Sequence, residues 1–358
     1  MKHESVDGLF VDRYALPLPP GEIRGLTLAF TVTCSLRCPY CVNNMAKADV
    51  QAIPTLIDEI GAEVYLDYLD RIIDWSVPIW VGLTGAGEPS ESPHFVALAR
   101  GLFERGALLH LGTNLHGIRN LEAFAAGIDL TGRTKADVSF HYGAYTLKQI
   151  DRFPELWARF VKAGLTPTTL ITPMTPGVLE EMDDYLEMVG RLQEIHPTKV
   201  VPLELYHFLD GVEYPAGYTR KDRERLKEVQ SSVGYNAFEH GTGGGETSTI
   251  RAEALPHLVN YLEIQGQSCL IGMFRAVVRL DGWVVRCQHK PQTKIGHLRD
   301  NPPVRLYDYF ALPCPGQSAG CKAVCNRFCL QPNGVSLADY FRAWYTERGE
   351  HEIGELFS

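Results

Sequence analysis

Three cysteines near the N-terminus constrain this chain more than any other feature of its sequence. Cys34, Cys38 and Cys41 are separated by three and by two residues, and they directly follow the largely apolar run 26–32. Thiolates at this spacing on one tight loop are typical of a four-iron cluster held through three of its irons, which leaves the fourth iron open to a small chelating ligand. The spacing therefore predicts redox chemistry at that open iron.

A zinc knuckle is the structural alternative for the same three cysteines. Structural zinc sites usually have four protein ligands, and no His or further Cys lies close to this group in the sequence. The sequence therefore favours the cluster over zinc.

The composition limits the classes of partner. A formal charge of −9 and a pI of about 5.8 argue against a nucleic-acid partner, because domains that bind the phosphate backbone are usually basic. No run of roughly 18 apolar residues is present to span a membrane, and the first residues lack the basic and apolar parts of a signal peptide. We therefore expect a cytoplasmic protein without a nucleic-acid or membrane partner, in which nine cysteines serve metal or redox chemistry rather than disulfides.

Short apolar or β-branched runs alternate with longer periodic segments through the middle of the chain. This alternation predicts strands at 26–32, 79–83, 108–112, 137–140, 168–171 and 200–205, and helices at 55–75, 93–105, 121–126, 153–163 and 179–194. Six strand–helix units fit an α/β fold in which a parallel sheet curls into a partial (β/α)6 TIM-type barrel. Functional residues are then expected on the loops at the carboxyl ends of the strands.

With Tyr40 as the aromatic residue before the last cysteine, the cysteine loop resembles the signature of the radical S-adenosylmethionine (SAM) superfamily. The resemblance implies that the amino and carboxylate groups of SAM chelate the open iron of a [4Fe-4S] cluster. It further implies that an electron from the reduced cluster cleaves SAM to a 5′-deoxyadenosyl radical, and that a donor such as flavodoxin or ferredoxin supplies this electron.

A second motif follows the second predicted strand, where the segment 84–89 is similar to the Gly-Gly-Glu motif of the same superfamily. The resemblance implies that Gly85 and Gly87 let the backbone approach the methionine end of SAM and that Glu88 meets its ammonium group. Ala86 stands where the superfamily often has glycine. A tight strand-to-helix turn without a cofactor is the alternative, but its position one unit after the cysteine loop favours a SAM site.

Two weaker signals lie after the third and fourth predicted strands. Thr113 and Asn114 follow the third strand, and Ser139 and His141 follow the fourth. They resemble superfamily positions that contact the carboxylate or ribose of SAM, or the substrate. In the alternative, Asn114 and His141 only cap helices or satisfy buried polar groups.

A second group of cysteines lies near the C-terminus. Cys269 and Cys287, with a predicted hairpin turn at 281–282 between them, resemble the opening of the SPASM or Twitch auxiliary-cluster extension of the superfamily, a small domain with a β-hairpin and a helix. Four more cysteines follow, and the spacing between them departs from the usual SPASM spacing: Cys314, Cys321, Cys325 and Cys329.

Six cysteines hold one auxiliary [4Fe-4S] cluster comfortably, so the resemblance implies at least one, bound by Cys269, Cys287 and two of the later four. The remaining cysteines form a second, partly open cluster or a structural metal site, or leave one free thiol as a hydrogen-atom donor. Zinc is the alternative for the group. The implied domains are an N-terminal extension (1–23), the radical SAM barrel (24–210), a bridging segment (211–254), the auxiliary domain (255–335) and a C-terminal helix or tail (336–358).

The implied reaction is removal of a hydrogen atom from a substrate C–H bond. About 25 residues precede the first strand, fewer than the peptide-recognition domain that many peptide-modifying members carry, which favours dehydrogenation or epimerisation of a small polar metabolite such as a sugar, an aminocyclitol or a natural-product intermediate. A peptide or protein maturase of the RiPP or sulfatase-maturation type is the alternative. An iron–sulfur electron-transfer protein without catalysis is an alternative of another class, and it predicts no binding of SAM.

Overall fold

A computed structural model describes residues 24–41, 53–84, 86–205, 208–209, 212–213, 216–234, 268–269, 275–285, 294–304, 306 and 312–313. The chain divides into two compact units. The barrel unit comprises Thr27–Asn236 and Val278–Gly282, and the second unit comprises Met1–Leu26, Ala237–Val277 and Trp283–Ser358.

The barrel unit is built on strands that follow one another in the sheet in chain order, β1 to β6. The strands are β1 (Arg24–Leu28), β2 (Ile79–Leu83), β3 (Leu108–Thr113), β4 (Thr134–Ser139), β5 (Pro167–Pro173) and β6 (Lys199–Leu203). Each neighbouring pair from β2 to β6 is parallel. The helices of the unit are α1 (Leu56–Asp70), α2 (Phe95–Glu104), α3 (Ile118–Ala125), α4 (Leu147–Lys162), α5 (Pro176–Glu180), α6 (Met182–Ile195) and α7 (Arg220–Ser232).

Side chains alternate between two faces of the sheet. On β3, Leu109, Leu111 and Thr113 are buried, whereas His110 and Gly112 between them are half-buried. The same alternation holds on β4, and its half-buried residues continue the face to which Gly112 belongs. This second face, called the inner face below, carries residues that line the main cavity.

Helix α4 illustrates how the outer layer is fixed. It begins at a capping box in which Thr146 and Gln149 satisfy each other's backbone N–H groups. Its buried side chains recur at helical spacing and are Phe153, Leu156, Trp157 and Phe160. The helix therefore packs one apolar stripe into the core and leaves its other face to solvent.

The α/β fold and the parallel sheet predicted from the sequence are confirmed, and the element bounds differ in detail. The helix predicted at 179–194 is two helices, α5 and α6, because Glu181 leaves the helical conformation at φ −99° and ψ 31°. The helix predicted to reach residue 75 ends at Asp70, whose carboxylate accepts a hydrogen bond from the Trp75 indole. Strand β1 ends at Leu28 rather than at residue 32.

Short antiparallel strands make up the rest of the described structure. In the second unit, β11 (Trp283–Val285) pairs with β12 (Lys294–His297), and β9 (Ser268–Cys269) pairs with β13 (Leu312–Pro313). The strands β7 (Phe208–Leu209) and β8 (Val212–Glu213) pair with each other, and β10 spans Arg275–Val278.

The predicted turn at 281–282 is present. Gly282 adopts φ 83° and donates its N–H to the carbonyl of Arg279 at 2.9 Å. The helix predicted for the auxiliary domain lies outside the described residues. Among the helices in the described part of the chain, none is long and apolar enough to cross a membrane.

Candidate active site

The three N-terminal cysteines line one cavity of about 380 Å³ in the barrel unit. The other walls come from the carboxyl ends of the parallel strands and the loops that follow them, as expected for this fold. The lining residues outside the cysteine loop include Thr84, Gly87, Glu88, Gly112, Thr113, Asn114, Ser139, His141, Ile171, Pro173, Leu203 and Leu205. The structure therefore brings the described residues of all four sequence motifs to one cavity.

None of the three thiols of the loop is in a disulfide, and they differ in exposure. Cys38 is buried, and Cys34 and Cys41 are half-buried. Burial, together with the charges of Glu91 and Glu88, raises the pKa of Cys34 to about 11, and burial raises that of Cys38 to about 12. A metal that binds these thiols must therefore displace protons from them.

The donor set at this wall of the cavity fits an iron–sulfur cluster. It consists of three sulfur atoms, the soft ligands that such clusters use. In the part of the chain that the structure describes, no three His, Cys, Asp or Glu side chains are grouped so that they could hold a single metal ion. The thiols instead share one cavity that is large enough to admit a bound group beside them.

The turn after β2 is joined directly to the cysteine loop by backbone hydrogen bonds. Gly87 donates its N–H to the carbonyl of Thr31 at 2.9 Å, and Glu88 donates to the carbonyl of Thr33 at 2.7 Å. A Cβ atom at Gly87 would lie 2.7 Å from the carbonyl carbon of Val32. Gly87 is therefore required because the chain packs against itself here, a reason that the motif alone does not give. Gly85 lies outside the described residues.

Glu88 is buried and accepts hydrogen bonds on both carboxylate oxygens. Its Oε1 accepts from the Ser90 N–H at 3.1 Å, from the Ser90 hydroxyl, and from the Thr113 hydroxyl at 2.8 Å. Among the described residues, its Oε2 accepts the Asn114 N–H alone, at 2.6 Å, which leaves lone-pair capacity on that atom. Burial raises the pKa of Glu88 to about 7 even though these hydrogen bonds favour its charged form. The carboxyl group therefore changes its charge near neutral pH.

The turn after β3 has an unusual backbone. Leu115 is fully buried and adopts φ 65°, a conformation that non-glycine residues rarely take. Two side chains hold the turn in place: the Thr113 hydroxyl accepts the Leu115 N–H at 3.0 Å, and Asn114 Oδ1 accepts the His116 N–H at 2.9 Å. Backbone strain of this kind clusters at functional sites.

Tyr40 and His141 join the cysteine loop to the end of β4. The Tyr40 hydroxyl lies 3.3 Å from His141 Nδ1, and the two rings stack with their centroids 5.9 Å apart. Burial lowers the pKa of His141 to about 4 and raises the pKa of Tyr40, so both rings are neutral at physiological pH. Ser139 lies two residues before His141 and also lines the cavity.

Two groups of hydrogen-bonded polar residues lie outside the sequence motifs. Glu91 accepts hydrogen bonds from the Ser35 N–H at 2.7 Å and from its hydroxyl at 2.6 Å, and that hydroxyl lies 2.9 Å from His116 Nδ1. These three side chains line a second cavity of about 320 Å³. On the inner face, His110 Nε2 lies 2.7 Å from Asp137 Oδ2. The period-two pattern of strands β3 and β4 is the one signal that pointed to this second pair.

The C-terminal cysteines are largely outside the described residues. Of this group, only the backbone of Cys269 is described, in β9. The others, Cys287, Cys314, Cys321, Cys325 and Cys329, lie outside the described residues. The auxiliary cluster therefore stays a prediction.

Comparisons with known proteins were made once this geometry was established. No family model matches the sequence. A GTP 3′,8-cyclase from Rhodococcus opacus (strain B4) is 31% identical over 179 residues, which cover 46% of this chain and 47% of that protein. The chain thus spans about half the length of this curated relative.

Two solved structures are similar in fold. The AdoMet-bound structure of anSMEcpe matches with a TM-score of 0.51 at 14% identity, over 93% of this chain and 98% of that chain. The SAM-bound structure of Streptococcus suis SuiB gives a TM-score of 0.47 at 16% identity, over 78% and 64% of the two chains. At 14% identity, the likeness to anSMEcpe shows a similar fold and no more.

Proposed function

We propose that this protein is a radical SAM enzyme that removes a hydrogen atom from a C–H bond of its substrate. The observation that carries the proposal is that three thiols outside any disulfide and the buried carboxyl group of Glu88 line the same cavity at the carboxyl ends of parallel strands. A protein that only carries electrons has no need of such a cavity beside its cluster, and a fourth cysteine would complete its ligand set.

Different residues of the cavity would bind the cluster and SAM. Cys34, Cys38 and Cys41 would hold the [4Fe-4S] cluster, and Glu88 would accept a hydrogen bond from the amino group of SAM on its less occupied oxygen, Oε2. When bound, the reduced cluster supplies the electron that cleaves SAM to methionine and the 5′-deoxyadenosyl radical. Ile171 and other apolar lining residues exclude water from the place where this radical would react.

A hydrogen-bonded pair of polar side chains lies on the inner face below the cavity wall. His110 and Asp137 lie two residues before Gly112 and Ser139 on the same strands, so they form the next layer of the inner face, roughly 7 Å below the cavity wall. Burial raises the pKa of Asp137, but hydrogen bonds from His110 and Thr169 outweigh this effect and the pKa is lowered to about 2. Neither residue lines the cavity itself, so the preference for a small polar metabolite such as a sugar or aminocyclitol rests on the sequence argument.

We therefore favour dehydrogenation or epimerisation of such a metabolite, by a cytoplasmic enzyme that takes electrons from a flavodoxin or ferredoxin. The proposed C-terminal auxiliary cluster would accept the electron of the product radical in a dehydrogenase. One unligated thiol among the last four cysteines would return a hydrogen atom in an epimerase.

Anaerobic reconstitution with iron and sulfide, followed by dithionite reduction with SAM, tests the proposal. We expect slow formation of 5′-deoxyadenosine, measured by chromatography, and its loss in the triple variant Cys34→Ala, Cys38→Ala and Cys41→Ala. We expect the triple variant to retain about four irons in the auxiliary cluster. Full cluster loading without SAM binding and without 5′-deoxyadenosine would leave the electron carrier as the better explanation.

The substrate class is tested by deuterium transfer. Perdeuterated sugars and aminocyclitols are supplied in one series of reactions and deuterated peptides in another, and the 5′-deoxyadenosine is analysed by mass spectrometry. We expect deuterium in 5′-deoxyadenosine from a member of the first series. Deuterium transfer from the peptides alone would show that the protein is a maturase.

A further inference from the structure

We propose that Asn114 donates an N–H···S hydrogen bond to Cys34 and thereby raises the reduction potential of the cluster that this cysteine helps to hold. The inference rests on the proposed function, because it requires a cluster on the cysteine loop. The superfamily resemblance implied a contact with SAM or substrate for Asn114, whereas its amide nitrogen Nδ2 lies 3.9 Å from Cys34 Sγ. Asn114 is thus a positioning and tuning residue that acts through the cysteine.

The orientation of the Asn114 amide is fixed by its other end. Its Oδ1 accepts the backbone N–H of His116 at 2.9 Å, so a flipped amide would place two donors against each other. The NH₂ group must therefore face the cysteine loop. Its partner there is the Cys34 sulfur atom, which accepts hydrogen bonds weakly when neutral and more strongly when it carries the charge of a thiolate ligand.

The backbone around Asn114 holds the side chain at this place. Its N–H donates to Glu88, and its carbonyl accepts the Tyr145 hydroxyl at 3.4 Å. The next residue, Leu115, keeps the rare φ of 65° described above. A buried leucine in this conformation persists only because its surroundings fix it, and the consequence here is that the Asn114 amide faces Cys34 rather than solvent.

A hydrogen bond to a cluster sulfur changes the reduction potential in a known direction. The reduced cluster carries one more negative charge than the oxidised cluster, and a donor N–H stabilises that charge. Asn114 is only 4% exposed, so water competes little for its amide. Loss of the donor is therefore expected to make the cluster harder to reduce.

The variant Asn114→Ser tests the hydrogen bond to Cys34 without removing the side-chain contact that holds the turn. A serine hydroxyl can still accept the His116 N–H, as serine does in related turns, but it is too short to reach Cys34 as the amide does. We expect an EPR-monitored titration of the reconstituted protein to show an equilibrium constant for reduction about tenfold smaller, which corresponds to ~59 mV for a one-electron couple. An unchanged potential in a fully loaded Asn114→Ser protein would overturn the proposal.

Asn120 provides a matched control. It lies on α3, and its Nδ2 donates to the Ser90 carbonyl in the turn after β2 at 2.8 Å, so it is an asparagine of the same region whose amide bonds to a carbonyl rather than to sulfur. We expect Asn120→Ser to keep the wild-type potential of the N-terminal cluster. An equal shift in both variants would show that the effect comes from general loosening of the loops and would overturn the proposal.

A spectroscopic measurement keeps the proposal testable if Asn114→Ser does not assemble its cluster. The protein is labelled with ¹⁵N-asparagine, and Asn43 and Asn44, which follow the cysteine loop in the sequence, are replaced by glutamine. We expect a ¹⁵N hyperfine coupling in the pulsed EPR spectrum of the reduced cluster, since the Asn114 nitrogen lies next to a ligand sulfur. Absence of the coupling would overturn the proposal.

The two proposals fail in different ways. If the wild-type protein binds no cluster on Cys34, Cys38 and Cys41, its iron count and EPR spectrum equal those of the triple Cys→Ala variant, and the proposed function itself is wrong. If the cluster forms and cleaves SAM while its potential and ¹⁵N coupling are indifferent to residue 114, only the role of Asn114 is wrong.

Discussion

The backbone N–H of Asn114 donates to Glu88 Oε2 at 2.6 Å, so the turn after β3 holds the carboxyl group presented by the turn after β2. Glu88 in turn donates its own N–H to Thr33, one residue before Cys34. A chain of short hydrogen bonds thus connects three loops that lie far apart in the sequence. The predictions below test what this connection does.

The first prediction concerns stability and pH. Glu88 has a pKa of about 7 in the folded protein, above its ordinary value of 4.5, so its contribution to stability is fully present below pH 4.5 and is lost as the pH rises through 7. We expect Glu88→Gln to remove this pH dependence. The loss of unfolding free energy between pH 4.5 and pH 8 should be larger in the wild-type protein than in the variant, by an amount on the order of 3 kcal/mol. Urea unfolding of both metal-free proteins from pH 4.5 to 8 measures their unfolding free energies. The same change with pH in the two proteins would contradict the prediction.

The second prediction concerns the protons released when SAM binds. The SAM amino group binds best to an ionised acceptor, and burial raises the pKa of Glu88 in the metal-free protein to about 7. Wild-type holoenzyme should therefore release more protons per SAM than Glu88→Gln at pH 7. Calorimetry in phosphate and in Tris gives the number of protons, and equal release by the two proteins would remove Glu88 from the SAM site.

The third prediction concerns Gly87. A methyl group at this position would press on the backbone of Val32 and Thr33, which cannot move without disturbing the cysteine loop. We expect Gly87→Ala to cost on the order of 1–3 kcal/mol of unfolding free energy and to lower the iron content of the reconstituted protein.

Gly190 is the control for this change. It lies inside α6 with nothing within 4 Å of its would-be Cβ, so Gly190→Ala should raise stability by roughly 0.5–1 kcal/mol and leave the iron content unchanged. If Gly87→Ala behaves like Gly190→Ala, the packing argument is wrong.

The fourth prediction concerns Asp137. Its pKa of about 2 lies below the ordinary value of 3.8, so its stabilising effect is present above pH 3.8 and is lost as the pH falls through 2. We expect Asp137→Asn to lower the unfolding free energy by about 1–2 kcal/mol at pH 7, and by less at pH 3.

Asp151 serves as the control for Asp137. It lies exposed on α4, and Asp151→Asn should change stability by about 0.5 kcal/mol or less. Denaturant unfolding at both pH values compares the two variants. An effect of Asp137→Asn that does not depend on pH would mean that the carboxylate is not held in its charged form by His110 and Thr169.

Much of the candidate site could be predicted because its signals are local in the sequence. Cys34, Cys38 and Cys41 lie within eight consecutive residues, so their spacing alone places three thiols on one loop. The strands can also be predicted from their local apolar runs. Parallel strands bring their carboxyl ends to the same edge of the sheet. The sequence by itself therefore determined the fold class and the edge of the sheet that carries the described motif residues.

The tertiary structure alone decided how those residues face one another. Glu91 reaches Ser35 across 56 positions, and Asn114 reaches Cys34 across 80. Such contacts depend on strand register and on loop conformations such as the positive φ of Leu115, which arise from packing of the whole unit and leave no periodic trace in the sequence. For the same reason, the role of Gly87 became clear only when the backbone of Thr33 was found in the space that its side chain would fill.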